Sequence, residues 1–142
     1  MTDSLLDDYR LVDGPPSVDE YLLLRRRSGL SSKRPDQAAI AVQGSWAAVH
    51  VIHKPTGIAA GMGRVIGDGG WYFHIVDMAV LPEHQRRGLG DRILATLLDT
   101  VRDRAPAGAW VNLLADPPGR RLYARHGFRE TAPGSVGMAL AL

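Results

Sequence analysis

The chain contains no cysteine, so disulfides, thiolate metal sites and cysteine nucleophiles are excluded together. Aromatics are scarce: three tryptophans, four tyrosines and two phenylalanines among 142 residues. No stretch approaches the roughly 20 apolar residues that span a bilayer. Met1 to Arg10 holds three aspartates and no apolar run of signal-peptide length, so the cytoplasm is the expected location. Charge of one sign is also missing, because 17 basic residues face 15 acidic ones. A net charge of +2 with no aromatic–basic interleaving argues against a nucleic-acid partner. No carboxylate pair, histidine cluster or HExxH motif suggests a metal. What is present is an ordinary globular composition, 45% hydrophobic and 23% charged. The length predicts one domain over residues 1–142, with core enough for an enzyme.

The residue pattern predicts nine elements before His126. Tyr9–Asp13 reads as a short strand closed by Gly14-Pro15-Pro16. Ser17-Val18-Asp19-Glu20 is a capping box opening a helix to about Ser28, and Pro35 begins a second helix towards Gln43. Residues 47–53 and 58–66 form strands around the turn Lys54-Pro55-Thr56-Gly57. Residues 71–80 form a long run with few polar residues, expected to be a central strand buried on both faces. Leu89, Ile93, Leu94, Leu97, Leu98 and Val101 then make one apolar helical stripe. A short strand over 110–114, a short helix over 118–126 and two weak strands in 128–142 complete the reading. The fold class is α/β (α+β): a mixed, mostly antiparallel central sheet of six or seven strands with about four helices. One right-handed parallel crossover is expected over residues 71–114.

The chemistry concentrates in Gln85-Arg86-Arg87-Gly88-Leu89-Gly90, where a loop leaves a strand and enters a long helix. The first helical N–H groups lack intrahelical partners, and the helix dipole adds partial positive charge there. Gly88 and Gly90 let the main chain approach a ligand closely, and two arginines add cations. These features suit pyrophosphate or a similar anion. A lone Gly-x-Gly has little weight, since it can serve only to shape the turn. The loop is neither a Walker A sequence nor a dinucleotide fingerprint.

This segment resembles the Q/R-x-x-G-x-G/A signature of the GCN5-related N-acetyltransferase (GNAT) superfamily. Leu122-Tyr123-Ala124-Arg125-His126-Gly127-Phe128 is similar to that family's L-Y-x-x-x-G-F, and the elements between the two motifs follow the same order. The resemblance is good over residues 46–130 and rests on element order alone before that. It implies transfer of acetyl from acetyl-coenzyme A to a primary amine by direct attack in a ternary complex, with no metal. The alternative is a module that binds or senses acyl-coenzyme A without turnover.

The resemblance also implies residue roles. The main chain of Met78, Ala79 and Val80 would pair with the pantetheine arm as an added strand. The amides of Gln85, Arg86, Arg87, Gly88, Leu89 and Gly90 would hold the pyrophosphate. Tyr123 would face the thioester sulfur as general acid, with a modest effect, because a thiol of pKa about 8.5 is already a good leaving group. Asp116 stands where the family often has asparagine; it can accept from pantetheine amides or cap the next helix, and capping is the expected role. Gly119 replaces a usual alanine or serine and would leave room for the ligand. An acceptor ammonium must lose its proton first, at a cost of about 4.6 kcal/mol at pH 7 for a lysine-like amine. His74 stands eleven residues before Gln85, where several family members carry a base, and a histidine suits that task. By period two it would share a face with Val76, Met78 and Val80, while Asp77 would face away unless a bulge intervenes. His84 is expected in solvent, and His50 and His53 in structural roles. Arg25-Arg26-Arg27 with Lys33 and Arg34 reads as a solvated helix end. The acceptor, a small molecule or a protein amine, matches no class in the sequence, and a homodimer is possible.

Overall fold

The computed structural model describes residues 7–142; residues 1–6, which bear on the reading of the leading segment, lie outside the described residues. All nine elements form: β1 (Tyr9–Asp13), α1 (Val18–Arg27), α2 (Pro35–Gln43), β2 (Ala47–His53), β3 (Ile58–Gly67), β4 (Tyr72–Val80), α3 (Leu89–Arg104), β5 (Trp110–Asn112) and α4 (Arg120–Arg125). The capping box at Ser17 is present in both directions, with Glu20 N–H donating to Ser17 Oγ and Ser17 N–H donating to Glu20 Oε1. Among the described residues no helix is long and apolar enough to cross a membrane.

The sheet has five strands in chain order, antiparallel from β1 to β4 and parallel between β4 and β5. The expectation of six or seven strands is corrected, because residues 128–142 form no strand. That segment makes a turn in which Ser135 N–H donates to Thr131 O at 3.1 Å. Pro133, Gly134 and Gly137 fall within it, and proline and glycine weaken any ladder. A second correction concerns the sheet centre. The strand buried on both faces is β3, while β4 alternates between buried and half-buried residues. Beyond its first three residues β4 has no partner on the β5 side, since β5 pairs only with Tyr72–His74.

Two apolar layers cover the sheet. The α3 stripe is buried at all six expected positions and packs with Val49, Val51, Val65, Phe73 and Ile75 on one face. On the other face α1 and α2 bring Tyr21, Leu24, Ala38 and Val42 against Ala59, Met62 and Ala79. Each large side chain so buried contributes about 1.5–3 kcal/mol.

A bulge interrupts β4. Met62 pairs with Ala79 and Arg64 with Val76, so Gly63 stands opposite both Asp77 and Met78. Asp77 adopts φ +60° to make the extra step. Glycine is required at 63 by space: a Cβ there would lie 2.7 Å from Met78 Sδ and 2.8 Å from Ile93 Cγ2. The bulge resets the alternation of side chains. Met78 and Val80 join Phe73 and Ile75 on the α3 face, whereas Asp77 and Ala79 turn towards α1. His74 therefore does not share a face with Met78 and Val80, contrary to the period-two expectation.

Asp77 is buried at the centre of an ionic cluster. Tyr21 OH donates to its Oδ2 at 2.6 Å and Arg64 Nε at 2.8 Å, while Arg25 Nη1 donates to Oδ1. Arg25 also donates to Ser31 O, and Arg64 to Ala41 O and Ser45 Oγ. Arg25 is thus a buried structural residue rather than part of a solvated helix end. Of its neighbours, Arg27 forms a forked pair with Glu83, and Arg34 pairs with Asp36. Among the described residues every buried side-chain polar atom has a partner. Asn tolerates positive φ, so Asp77→Asn keeps the bulge but leaves two buried guanidinium groups without a counter-charge. We expect a loss of about 3–5 kcal/mol in urea denaturation. A change below about 1 kcal/mol would show that the cluster does not hold the fold.

Candidate functional site

The site follows from the end of the β4–β5 pairing. After His74 and Asn112 the two parallel strands no longer pair, and the rest of β4 has an edge without a ladder partner on that side. β4 leads through a 3₁₀ turn, Pro82–His84, into the glycine loop. Gln85 Nε2 donates to Val80 O at 3.0 Å and so fastens the loop to the strand it leaves. Arg86 has φ +62° and Gly88 φ +82°, which folds the main chain tightly ahead of α3. A Cβ on Gly88 would meet nothing within 4 Å, so the loop faces open space. The first bond of the helix is Arg92 N–H to Gly88 O, and the amides of Leu89, Gly90 and Asp91 ahead of it have no acceptor within the helix. Free amides at the start of a helix suit an anion. The Leu89 side chain is buried in the core, which leaves only its amide to the loop.

Other loop side chains differ from expectation. Arg87 Nη1 donates to Tyr9 OH at 2.9 Å, and Tyr9 OH is 2.6 Å from His84 Nδ1. Arg87 is therefore tethered to β1, whereas Arg86 is exposed. His84 is buried rather than solvated, and burial, followed by the charges of His53 and Arg87, lowers its pKa. His50 and His53 are held by Gly14 O and Thr56 Oγ1. Gly90 has a packing role as well, because a Cβ there would approach Leu122 Cδ2 to 3.2 Å.

Two side chains able to move protons, His74 and Tyr123, are held by named neighbours on β5 and around α4. His74 Nδ1 lies 2.6 Å from Asn112 Oδ1, at the last paired position of β4 and β5. An amide oxygen only accepts, so Nδ1 is the donor of this bond, and in the neutral tautomer that the bond selects the lone pair falls on Nε2. Sequence reasoning missed Asn112; the signal was a polar residue within the short apolar run of β5. Tyr123 lies on α4 with its ring edge-on to Phe128, at 6.1 Å between centroids. Burial, and next the charge of Asp116, raise its pKa above the usual phenol value of 10.0. Its hydroxyl thus keeps its proton through the neutral range.

Asp116 and Gly119 correct two expectations. Asp116 occupies the N-cap position of the Pro117–Gly119 turn, but its side chain makes no capping bond. Gly119 does leave room, and the Tyr123 ring takes it: a Cβ at 119 would lie 2.8 Å from Tyr123 Cε2 and 3.2 Å from its hydroxyl. Asp91, in the first turn of α3, pairs with Arg125 and His126, each at 2.9 Å, and so binds α4 to the glycine loop. Burial alone would raise the Asp91 pKa; the bonds from Arg125 and His126 outweigh it and lower the value.

Residues 45–130 match the acetyltransferase (GNAT) domain family model. The chain belongs to the GNAT acetyltransferase family. A probable acetyltransferase from meticillin-resistant Staphylococcus aureus shares 32% identity over 94% of this chain and 99% of that one, with a TM-score of 0.89. An acetyltransferase from Trypanosoma brucei (22% identity, 95% and 100% covered, TM-score 0.72) shares the fold. So does glucosamine-6-phosphate N-acetyltransferase from Arabidopsis thaliana (14%, 94% and 97%, 0.69). No curated protein matches the chain.

The seat of Tyr123 can be tested apart from catalysis. Gly119→Ala forces a methyl group onto the ring and should cost about 1–3 kcal/mol in chemical denaturation. In a Tyr123→Ala background the same substitution should cost almost nothing, giving a clear coupling energy in the double-mutant cycle. Equal costs in both backgrounds would separate Gly119 from the ring.

Proposed function

We propose that the protein is an N-acetyltransferase that moves acetyl from acetyl-coenzyme A to a primary amine by direct attack in a ternary complex. The observation that carries this reading is the opening between β4 and β5 beside a loop whose leading helix amides have no helical acceptor. An unladdered strand edge and an anion cradle, next to each other, fit a ligand with an amide-bearing arm and a pyrophosphate.

When bound, the coenzyme supplies an acetyl group on a thiol that leaves readily. The main chain of Met78, Ala79 and Val80 extends the sheet to the pantetheine arm. Amides from Arg86 to Gly90 face the pyrophosphate, with the exposed Arg86 adding charge and Arg87 bracing the loop through Tyr9. Gln85 acts by fixing the loop to Val80. Asp116, with its carboxylate uncapped and exposed, can accept from a pantetheine amide. Nε2 of His74 takes the amine proton, with Asn112 holding the tautomer, and Tyr123 OH gives a proton to the departing sulfur. Gly119 serves by seating Tyr123. The acceptor is a small-molecule or protein amine, and the expected setting is the cytoplasm.

A thiol-release assay with acetyl-coenzyme A across an amine library, beside calorimetric titration of the coenzyme, tests the reading. Turnover with at least one amine is expected. Binding without any turnover would make the chain an acyl-coenzyme A sensor, and absence of binding would remove the proposal. Tyr123→Phe keeps the ring and loses only the hydroxyl, so kcat should fall roughly 10–100-fold at nearly constant KM for the coenzyme. A full-rate variant would demote Tyr123 to packing. In His74→Ala the acidic limb of the kcat/KM profile should disappear while coenzyme affinity is kept. An unaltered profile would assign the proton to water or another side chain.

A further inference from the structure

The hydroxyl of Tyr9 grips the glycine loop on both sides of its strained turn. Tyr9 lies on β1, an edge strand of the sheet, and is only 3% exposed. Its hydroxyl is 2.6 Å from His84 Nδ1 and 2.9 Å from Arg87 Nη1. Between those two residues stand Gln85, fastened to Val80 O, and Arg86 at φ +62°. A non-glycine residue in that region costs of order 1–3 kcal/mol and persists only where its surroundings over-determine it. Here one oxygen holds the residue after Arg86 and the second residue before it.

The hydrogens of this contact can be assigned. A guanidinium only donates, so the Tyr9 oxygen accepts from Arg87. The hydroxyl has one proton to give, and His84 Nδ1 is its acceptor among the described residues. The neutral tautomer that this bond selects carries its proton on Nε2. A proton on Nδ1 removes the acceptor, sets two cationic donors against one oxygen and strands the hydroxyl proton in a buried place. The groups around His84 are Tyr9 on β1, His53 on β2 with its ring 4.6 Å away, Arg87, and the neighbouring Glu83. The Glu83 carboxylate is itself taken by Arg27 of α1. Burial, followed by the charges of His53 and Arg87, outweighs Glu83 and keeps His84 neutral until the pH falls below the ordinary histidine value of 6.5.

We propose that Tyr9 is a positioning residue of the glycine loop: its hydroxyl clamps the turn at Arg86 while His84 is neutral, and a proton on His84 opens the clamp. The loop is then shaped before a ligand arrives, and binding does not have to supply that order. That the ligand is the coenzyme rests on the acetyl-transfer reading; the clamp itself does not.

The first test uses the full chain without coenzyme. The Arg92 amide, bonded to Gly88 O, and the Gln85 amide, bonded to Pro82 O, report whether the loop is closed. Tyr9→Phe keeps the ring in the core and removes the hydroxyl. Hydrogen exchange at both amides, corrected for the intrinsic rate, should quicken roughly tenfold at about pH 7.5, with strand β3 unmoved. The wild-type chain should show the same loss on going to about pH 5, and His84→Asn, whose acceptor oxygen does not titrate, should not. His84→Gln, with that acceptor on a longer stem, serves if the asparagine variant is not folded by circular dichroism. Unchanged exchange in Tyr9→Phe, or an acid response in the folded His84 variant equal to that of wild type, would overturn the proposal.

The second test titrates coenzyme A by calorimetry at the same two pH values. The coenzyme's own phosphates titrate alike with either protein, so the comparison isolates His84. On acidification, affinity should fall roughly threefold to tenfold further in wild type than in the His84 variant. An equal fall would overturn the link from clamp to ligand. A wild-type chain that binds no coenzyme would sink the acetyl-transfer reading instead, with the exchange experiment still deciding the clamp.

Discussion

The structure turns on one buried carboxylate. Asp77 receives Arg25 from α1, Arg64 from β3 and Tyr21 from α1, and the two arginines reach on to Ser31, Ala41 and Ser45. A single side chain thereby fixes both N-terminal helices to the sheet face opposite α3. Isolated buried ions are costly, and only this density of partners makes the arrangement tolerable. The cluster also holds a non-glycine residue at positive φ, which sustains the bulge. The bulge in turn directs Met78 and Val80 to the α3 face and gives the unpartnered stretch of β4 its shape. The opening beside β5 is therefore anchored from the far side of the sheet.

His74 and Tyr123, the proton-handling groups of the proposed mechanism, are both placed by small, uncharged neighbours. Asn112 orients His74 without adding a charge to it. Gly119 receives the Tyr123 ring by having no side chain of its own. Each neighbour sets where its partner's side chain sits. Burial, and next the charge of Asp116, push the Tyr123 hydroxyl further above its ordinary pKa.

Much of this was legible in the residue pattern. The capping box at Ser17, the α3 stripe and the punctuation by Pro35 and Gly88 fix element order, because each depends on local spacing alone. The family motifs around Gly88 and Tyr123 are likewise local. What the pattern did not disclose arises between distant positions. The bulge depends on Gly63 having Met78 and Ile93 against it, and Arg25 looked solvated because its partner lies 52 residues away. An aspartate in the apolar run 71–80 was the available sign, since a buried carboxylate demands cations somewhere. His84 was misjudged for the same reason, its partner Tyr9 being 75 residues earlier. The two weak strands expected after Phe128 do not form, since Pro133, Gly134 and Gly137 weaken any ladder there.

The Asp91 bridge has a consequence for how the glycine loop and α4 can vary. A carboxylate in the first turn of α3 opposes any anion approaching that helix end, and here the Arg125 guanidinium neutralises it while His126 lies within hydrogen-bond distance of its other oxygen. The helix that presents the tyrosine is therefore also the electrostatic shield of the loop. Drift or loss of α4 would bare a negative charge at the anion cradle while removing the phenol from the opening. Under the proposed function, a change in this one six-residue helix would therefore act on coenzyme affinity and turnover together.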